Sequence, residues 1–317
     1  MEQNSFMEKE INSKVKTAAG IVTDNPEIER LQENLKAASK QVDFVLIYDN
    51  ASKNIDEIEK VISAFQNVRV IKSDTNKGVA GALNELSDTA ISENVEWFLT
   101  LDHDSVIPEN FIKACKSFVA DNIGIICPVM YDKRRPQIDA VNKDKVSYVD
   151  FCITSGSFVN LSVWKQIGKY DEFLFVGLVD NEYCKRVILN GYKILRLNEM
   201  LMDHELGTLQ PTRLAKVYKK LAVILHSKTI AALSYRRKVS PFRAYYATRN
   251  IVYLSKKYKN YPCYEFSKKF AIKNGLSNFI RSGFDIKVLK AVVKGFSEGN
   301  KIDVTDDIRC TLTGEYK

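Results

Sequence analysis

Residues 95–105 read VEWFLTLDHDS, a nearly unbroken apolar run that ends in two aspartates one residue apart. A short apolar run of this kind is typical of a buried strand in a parallel sheet. Three similar runs precede it: VKTAAGIVT at 15–23, VDFVLIYD at 42–49 and VRVIKS at 68–73. Helical patterns separate these runs, so the sequence predicts repeated strand–helix–strand units, an α/β fold and a mostly parallel central sheet flanked by helices.

Beyond the fourth strand the pattern continues and then weakens. A helix is expected from Pro108 through Phe118, followed by a strand that starts near residue 123. The polar stretch 131–145 predicts a surface loop, and a helix is expected near 179–190.

The charge of the chain is unevenly distributed. Residues 211–317 hold 23 Lys and Arg against 7 Asp and Glu, a net of +16, whereas residues 1–210 hold 24 against 32, a net of −8. The basic part is aromatic and helical in pattern and contains no convincing strand. We therefore predict an N-terminal extension at 1–14, an α/β domain at 15–210 and a basic helical C-terminal region at 211–317.

Composition excludes several classes of protein. The 317 residues are 45% hydrophobic and 27% charged, which predicts a soluble chain with one or two proper cores. Nothing approaches the ~20 uninterrupted apolar residues of a membrane span, and the charged first dozen residues do not predict a secretory signal. The six cysteines are scattered without a CxxC, which indicates reduced thiols in a cytoplasmic protein.

Acidic residues lie where the predicted strands end. In open parallel sheets, ligands bind beyond the carboxyl ends of the strands. Asp49 ends the second strand, and Asp102 and Asp104 end the fourth. Two carboxylates this close repel each other, and Mg²⁺ or Mn²⁺ would relieve that repulsion. Alternatively, Asp49 is a turn residue, and Asp104 with Ser105 caps the helix expected at Pro108.

The sequence lacks the motifs of several other enzyme classes. The sequence has no GxxxxGK[ST] of a P-loop enzyme, and Gly78 and Gly81 do not form a GxGxxG after a strand. A GxSxG nucleophile motif is also missing, and no nucleophile partner is evident for the three histidines.

Short motifs follow one another along residues 15–300. They are TDNP (23–26), DNAS (49–52), NKGVAGALN (76–84), LDHDS (101–105), TSG (154–156), VDNEYCKR (179–186), HELG (204–207) and PFRAYYATRN (241–250). In order and spacing these motifs resemble family 2 glycosyltransferases of the GT-A fold, most closely the rhamnosyltransferase-like branch. The resemblance implies that residues 15–210 are the GT-A catalytic domain of a nucleotide-sugar-dependent hexosyltransferase.

The resemblance also implies roles for individual residues. Thr23 and Asp49 would line the pocket for the nucleotide base. Asp102 would contact the ribose and approach the metal, Asp104 would bind the divalent ion, and His204 matches a third metal or diphosphate contact. The cation would stabilise the departing nucleoside diphosphate.

A general base is needed on the opposite face of the sugar, and Asp180 is the best candidate. It is expected in the first turn of its helix, whose dipole favours the ionised carboxylate. With one base and no nucleophile, we expect a single displacement with inversion. Ser155 and Gly156 would let the backbone approach the donor sugar or the acceptor. Alternatively, Asp180 or Glu182 supports the start of the helix, and Gly156 is a turn glycine. Arg186 either holds the active-site carboxylates or the diphosphate, or lies on the helix surface.

The basic region predicts amphipathic helices on an anionic membrane surface. Together with the resemblance, a membrane-binding region implies an enzyme at the inner face of the plasma membrane. Its acceptor would be a glycan or a polyisoprenoid-linked molecule in bacterial cell-surface polysaccharide synthesis. A cap packed on the catalytic domain and a contact in a homo-oligomer are alternatives, and no nucleic acid is expected.

The donor is left open by the residues themselves. The resemblance favours dTDP-L-rhamnose, and a UDP-hexose-dependent transferase of the same fold is the alternative. A sugar nucleotidyltransferase would need a glycine-rich loop after the first strand, where this chain reads GIVTDNPEIE. An inactive partner subunit is disfavoured by the intact acids at 102, 104 and 180.

Overall fold

The computed structural model describes most of the chain, in residues 15–131, 144–204, 209–212, 214–227, 230–231, 234–237 and 239–304. The predicted extension at 1–14 and most of the predicted loop at 131–145 lie outside these ranges.

The amino-terminal part alternates strands and helices, as predicted. Its elements are β1 (Thr17–Thr23), α1 (Ile28–Ala38), β2 (Phe44–Asn50), α2 (Ile55–Ile62), β3 (Val68–Ser73), α3 (Gly78–Ser92) and β4 (Trp97–Asp102). The four strands are parallel neighbours in the order β3-β2-β1-β4.

The sheet is then completed by strands of both directions. The next elements are α4 (Phe111–Lys116), β5 (Ile123–Tyr131), β6 (Val146–Tyr148), β7 (Ser157–Asn160), α5 (Leu161–Ile167), a 3₁₀ turn (Glu172–Leu174), α6 (Val179–Leu189) and β8 (Lys193–Asp203). The eight strands lie in the order β3-β2-β1-β4-β7-β5-β8-β6. β7 runs antiparallel to β4 and β5, and β6 runs antiparallel to β8.

One predicted helix is shorter than expected. α4 begins at Phe111, not at Pro108, because Asn110 adopts a left-handed backbone with φ 61° that a right-handed helix does not contain. The helix also ends at Lys116, before Phe118.

β1 lies between two apolar cores, because successive side chains of a strand point to opposite faces of the sheet. Ala19 and Ile21 face a core covered by α1, α2 and α4. Ala18 and Val22 face a core covered by α3, α5 and α6. Helices thus cover both faces of the sheet, as predicted.

The C-terminal region is mainly helical, as predicted. It contains β9 (Leu209–Pro211), α7 (Ala215–Ile224), β10 (Tyr235–Arg237), α8 (Pro241–Lys257), a 3₁₀ turn (Tyr264–Phe266), α9 (Lys268–Arg281) and α10 (Ile286–Lys301). The short antiparallel pair β9–β10 was not expected, since three residues are too few for a periodic pattern. This pair links residues on both sides of the predicted boundary at residue 210. The boundary itself stays a prediction. No helix among the described residues is long and apolar enough to cross a membrane.

A buried ion cluster joins α6 to α8. Glu182 is fully buried and contacts Arg186 Nη2 at 2.7 Å and Lys257 Nζ at 2.9 Å. Lys257 Nζ also lies 2.5 Å from Asp171 Oδ2, and the hydroxyl of Tyr258 donates to Glu182 Oε1 at 2.8 Å. Although burial alone would raise the pKa of Glu182, the charges of Arg186 and Lys257 lower that pKa to about 2.

We expect Glu182→Gln to lower the free energy of unfolding by about 3–5 kcal/mol, because it leaves two buried cations with less counter-charge. Urea denaturation measures this loss. The matched control is Asp88→Asn, whose partner Lys169 lies 2.5 Å away at the surface. This control should cost less than ~1 kcal/mol, and equal losses in the two variants would contradict the structural role of the cluster.

Candidate active site

The carboxyl ends of β1, β2 and β4 lie side by side. In the strand register, Thr23 pairs with Asp49 and Val22 pairs with Asp102. Thr23 and Asp49 are both buried, and the Thr23 hydroxyl donates to Asp49 Oδ1 at 3.0 Å. Three of the residues singled out in the sequence are therefore brought to one edge of the sheet.

Asp49 acts as a turn residue. Its Oδ2 accepts a hydrogen bond from the backbone N–H of Ser52 at 3.0 Å. Each carboxylate oxygen can accept more than one hydrogen bond, so Asp49 keeps capacity for a ligand. The role of Thr23 and Asp49 in a base pocket stays a prediction.

Asp102, Asp104 and His204 come together, and we call these three residues the candidate metal site. One ligand atom from each lies within 4.8 Å of the others. His204 follows β8, which is not a neighbour of β4 in the sheet. A backbone bridge brings the two ends together, because Val106 and Asp203 exchange N–H···O=C hydrogen bonds of 3.0 and 3.2 Å.

A chain of buried hydroxyls underlies the candidate metal site. The N–H of Asp102 donates to Ser155 Oγ at 3.0 Å, and Ser155 Oγ donates to Ser105 Oγ at 2.7 Å. Ser105 Oγ in turn lies 2.7 Å from His204 Nδ1. The same Nδ1 lies 3.7 Å from Asp104 Oδ1. Ser105 thus contacts the candidate metal site. It does not cap α4, because Asn110 occupies the N-cap position of that helix.

Arg30 on α1 also holds this site, although no motif in the sequence singles it out. Its Nε donates to the backbone oxygen of Asp104 at 2.8 Å, and its Nη2 donates to Asp203 Oδ2 at 3.1 Å. These contacts span 74 and 173 residues, so no local pattern points to them. Ser105, by contrast, could have been identified from the sequence, because it directly follows Asp104.

The electrostatics of the candidate metal site favour a cation. Burial, reinforced by the like charge of Asp104, raises the pKa of Asp102 to about 6. The charges of His204 and Arg243 oppose this increase, whereas the charge of Asp180 adds to it, so Asp180 and Arg243 lie near enough to Asp102 to influence its pKa. Two carboxylates and an imidazole at this spacing fit a divalent ion that neutralises their repulsion.

Asp180 lies in the first turn of α6, as predicted. Its Oδ1 accepts a hydrogen bond from the N–H of Asn181 at 2.9 Å, and the side chain lines a small cavity with Thr154 and Ser157. The helix dipole was expected to favour the ionised carboxylate, but burial outweighs the backbone N–H groups and raises the pKa of Asp180 to about 6. Asp180 is therefore ionised only above about pH 6.

Two further residues, Gly156 and Arg186, are explained by packing and by ion pairing. Gly156 has φ 84°, and a Cβ there would lie 2.7 Å from Met202 Sδ and 3.0 Å from Pro128 Cγ, so packing explains the glycine. Its predicted contact with the donor stays a prediction. Arg186 lies neither at the candidate metal site nor on the helix surface, because it is buried against Glu182.

Asp102→Asn tests the electrostatics of the candidate metal site. Because burial raises the pKa of Asp102 to about 6, ionisation of this group costs the metal-free protein stability as pH rises from ~4 to ~6. We expect the variant to melt above the wild type near neutral pH in EDTA, and the gap to close as pH falls towards about 4. Scanning calorimetry across pH measures this, and Asp121→Asn, in an exposed turn, is the control. A gap that does not change with pH would contradict the raised pKa.

Comparison with known proteins identifies the chain. Residues 21–160 match the family model "Glycosyl transferase family 2". The dTDP-rhamnosyl transferase RfbF of Shigella flexneri is 25% identical over 205 residues, which cover 60% of this chain and 69% of that protein. A crystal structure of S. aureus TarS aligns with 87% of this chain and 55% of that chain, at 16% identity and a TM-score of 0.51. Residues 21–160 are therefore a glycosyl transferase family 2 domain with the GT-A fold, and the chain is a glycosyltransferase.

Proposed function

We propose that the protein transfers a sugar from a nucleotide-sugar donor to a hydroxyl of a glycan or lipid-linked acceptor, with inversion and with Mn²⁺ or Mg²⁺. One observation carries the proposal: Asp102, Asp104 and His204 converge at the carboxyl end of β4. This is the edge of a parallel sheet where ligands bind. Because the charge of Asp180 acts on Asp102, we infer that Asp180 lies across the same crevice.

Asp102, Asp104 and His204 are proposed to hold the cation. When bound, it would act as a Lewis acid that stabilises the negative charge of the departing diphosphate. Arg30 would keep Asp104 in place through its backbone oxygen, and Ser105 would orient the imidazole of His204.

Asp180 is proposed to accept the proton of the acceptor hydroxyl. The hydroxyl oxygen then bonds to the anomeric carbon as the bond from that carbon to the diphosphate oxygen breaks. Attack on the face opposite the leaving group inverts the configuration. A pKa of about 6 suits this role, since the carboxylate is ionised at neutral pH yet basic enough to take a proton.

The donor is proposed to be dTDP-L-rhamnose, with Thr23, Asp49, Ser155 and Gly156 on its side of the crevice. Similarity to a protein named dTDP-rhamnosyl transferase supports this choice. A UDP-hexose is the alternative donor. By the same similarity, the proposed acceptor belongs to bacterial cell-surface polysaccharide synthesis.

Donor binding is measured by thermal shift with a panel of nucleotide sugars, with and without Mn²⁺ or Mg²⁺. A ligand that binds only the folded protein raises its melting temperature, so we expect the largest shift with dTDP-L-rhamnose and cation together. Asp104→Asn should lose the cation-dependent shift, whereas Asp121→Asn should keep it. A larger shift with a UDP-hexose would reassign the donor.

Asp180→Asn separates binding from chemistry when the thermal shift is combined with an assay of the transfer rate. It should keep the donor-dependent shift but lower the transfer rate by at least ~100-fold, the usual contribution of a general base. An unchanged rate would contradict the role of Asp180, and no transfer by the wild type from any donor would contradict the proposed activity.

The C-terminal helices are proposed to dock on an anionic membrane at its cytoplasmic face. Exposed apolar side chains line α9 at Ile272, Leu276 and Ile280, and α10 at Leu289 and Val293. Exposed lysines flank them, namely Lys269, Lys273, Lys287, Lys290 and Lys294. Apolar side chains flanked by cations suit an anionic lipid surface.

We expect the protein to sediment with phosphatidylserine-rich vesicles and not with phosphatidylcholine vesicles, because each lysine near an anionic surface contributes about 1 kcal/mol. Val293→Glu should weaken this binding. The matched control is Phe118→Glu, which changes an exposed apolar residue of the α/β part. Equal binding to both kinds of vesicle would argue against electrostatic docking.

A further inference from the structure

The segment that leads into α6 has a strained backbone. Phe175 and Leu178 have φ values of 42° and 67°, and Gly177 between them has φ 77°. Left-handed conformations are unfavourable for a residue with a side chain. Such a backbone persists only where its surroundings hold it. Leu178 is the residue before α6, and Asp180 follows two positions later.

Asn250 of α8 binds this segment. Its side chain is fully buried, and its Nδ2 donates to the backbone oxygens of Leu174, Val176 and Gly177 at 2.8, 3.2 and 3.0 Å. The amide oxygen accepts hydrogen bonds from Arg249 Nε and Nη2 at 3.0 and 2.8 Å. Because the guanidinium can only donate, it orients the amide with the nitrogen towards the three carbonyls.

Aromatic contacts extend this attachment. The guanidinium of Arg249 lies over the rings of Phe173 and Tyr246, at 4.2 and 4.6 Å from their centroids. Tyr246 in turn stacks on Phe175 with centroids 5.4 Å apart. One side of the segment is therefore covered by α8.

The other side of the segment is fixed by α3. The N–H of Val79 donates to the backbone oxygen of Phe175 at 2.8 Å. A Cβ on Gly78 would lie 2.4 Å from that oxygen, so only glycine allows the close approach. The strained segment is thus held between α3 and α8.

We propose that Asn250 is a positioning residue of the active site: by binding three carbonyls of residues 174–177, it holds the start of α6 so that Asp180 faces the crevice. The inference rests on the proposed role of Asp180 as general base. Without the Asn250 amide, three backbone oxygens lose their donor and the strained backbone can relax. Asp180 would then shift, and small displacements of a reacting group cost up to ~100-fold in rate.

Asn250→Asp is the sharpest test, because it keeps the shape of the side chain but replaces both N–H donors with an acceptor. We expect amide exchange in peptides covering 174–181 to rise by at least ~10-fold, as expected when a local segment opens more often. The transfer kcat should fall by at least ~10-fold, while the donor KM and the donor-dependent thermal shift change little. If this variant does not fold, Asn250→Ala removes the same donors without adding charge.

The matched control is Asn300→Asp on α10, where the Asn300 amide donates at 2.9 Å to Phe296 of the same helix. This variant should leave exchange at 174–181 and kcat unchanged. The proposal is overturned if exchange rises equally in β1, if the loss appears in KM and not in kcat, or if exchange rises at 174–181 while kcat stays at the wild-type level. An inactive wild type would overturn the proposed function, and the exchange comparison alone would still decide whether Asn250 holds the segment.

Discussion

The parallel arrangement of β1, β2 and β4 is the constraint on which the active site depends. Hydrogen bonding between neighbouring strands places Thr23 opposite Asp49 and Val22 opposite Asp102. The sheet therefore presents carboxylates at one edge, although burial and the like charge of Asp104 disfavour the ionisation of Asp102. Such an arrangement destabilises the metal-free protein and favours a bound cation, so the electrostatic cost and the proposed chemistry have the same origin.

The C-terminal region is divided between two tasks. α8 belongs to the catalytic part, because Lys257 and Tyr258 share the buried carboxylate of Glu182 and Asn250 binds the segment before α6. α9 and α10 leave apolar and basic side chains exposed. The packing of α8 fits the alternative of a cap on the α/β part, whereas the proposed membrane contact concerns only α9 and α10. The net charge of the region does not distinguish these helices.

Part of the active site was predictable from local sequence. Asp102 and Asp104 stand out because an apolar run ends in two close acids. Asp180 was selected as a base only after the family resemblance implied a reaction that needs one. His204 came from the family resemblance. Arg30 and Asn250 were not assigned a role at the site, although Asn250 ends the motif PFRAYYATRN, since each binds groups 73 to 173 residues away.

The sequence by itself determined the order of strands and helices from β1 to β5 and the edge at which acids gather. These features follow from apolar periodicity and from the geometry of parallel strands, which are local or generic. Only the tertiary structure decided the pKa of Asp180, the start of α4 and the burial of Arg186. Desolvation, backbone strain and ion pairing depend on which distant groups pack around a residue, and that information is not contained in any short stretch of the chain.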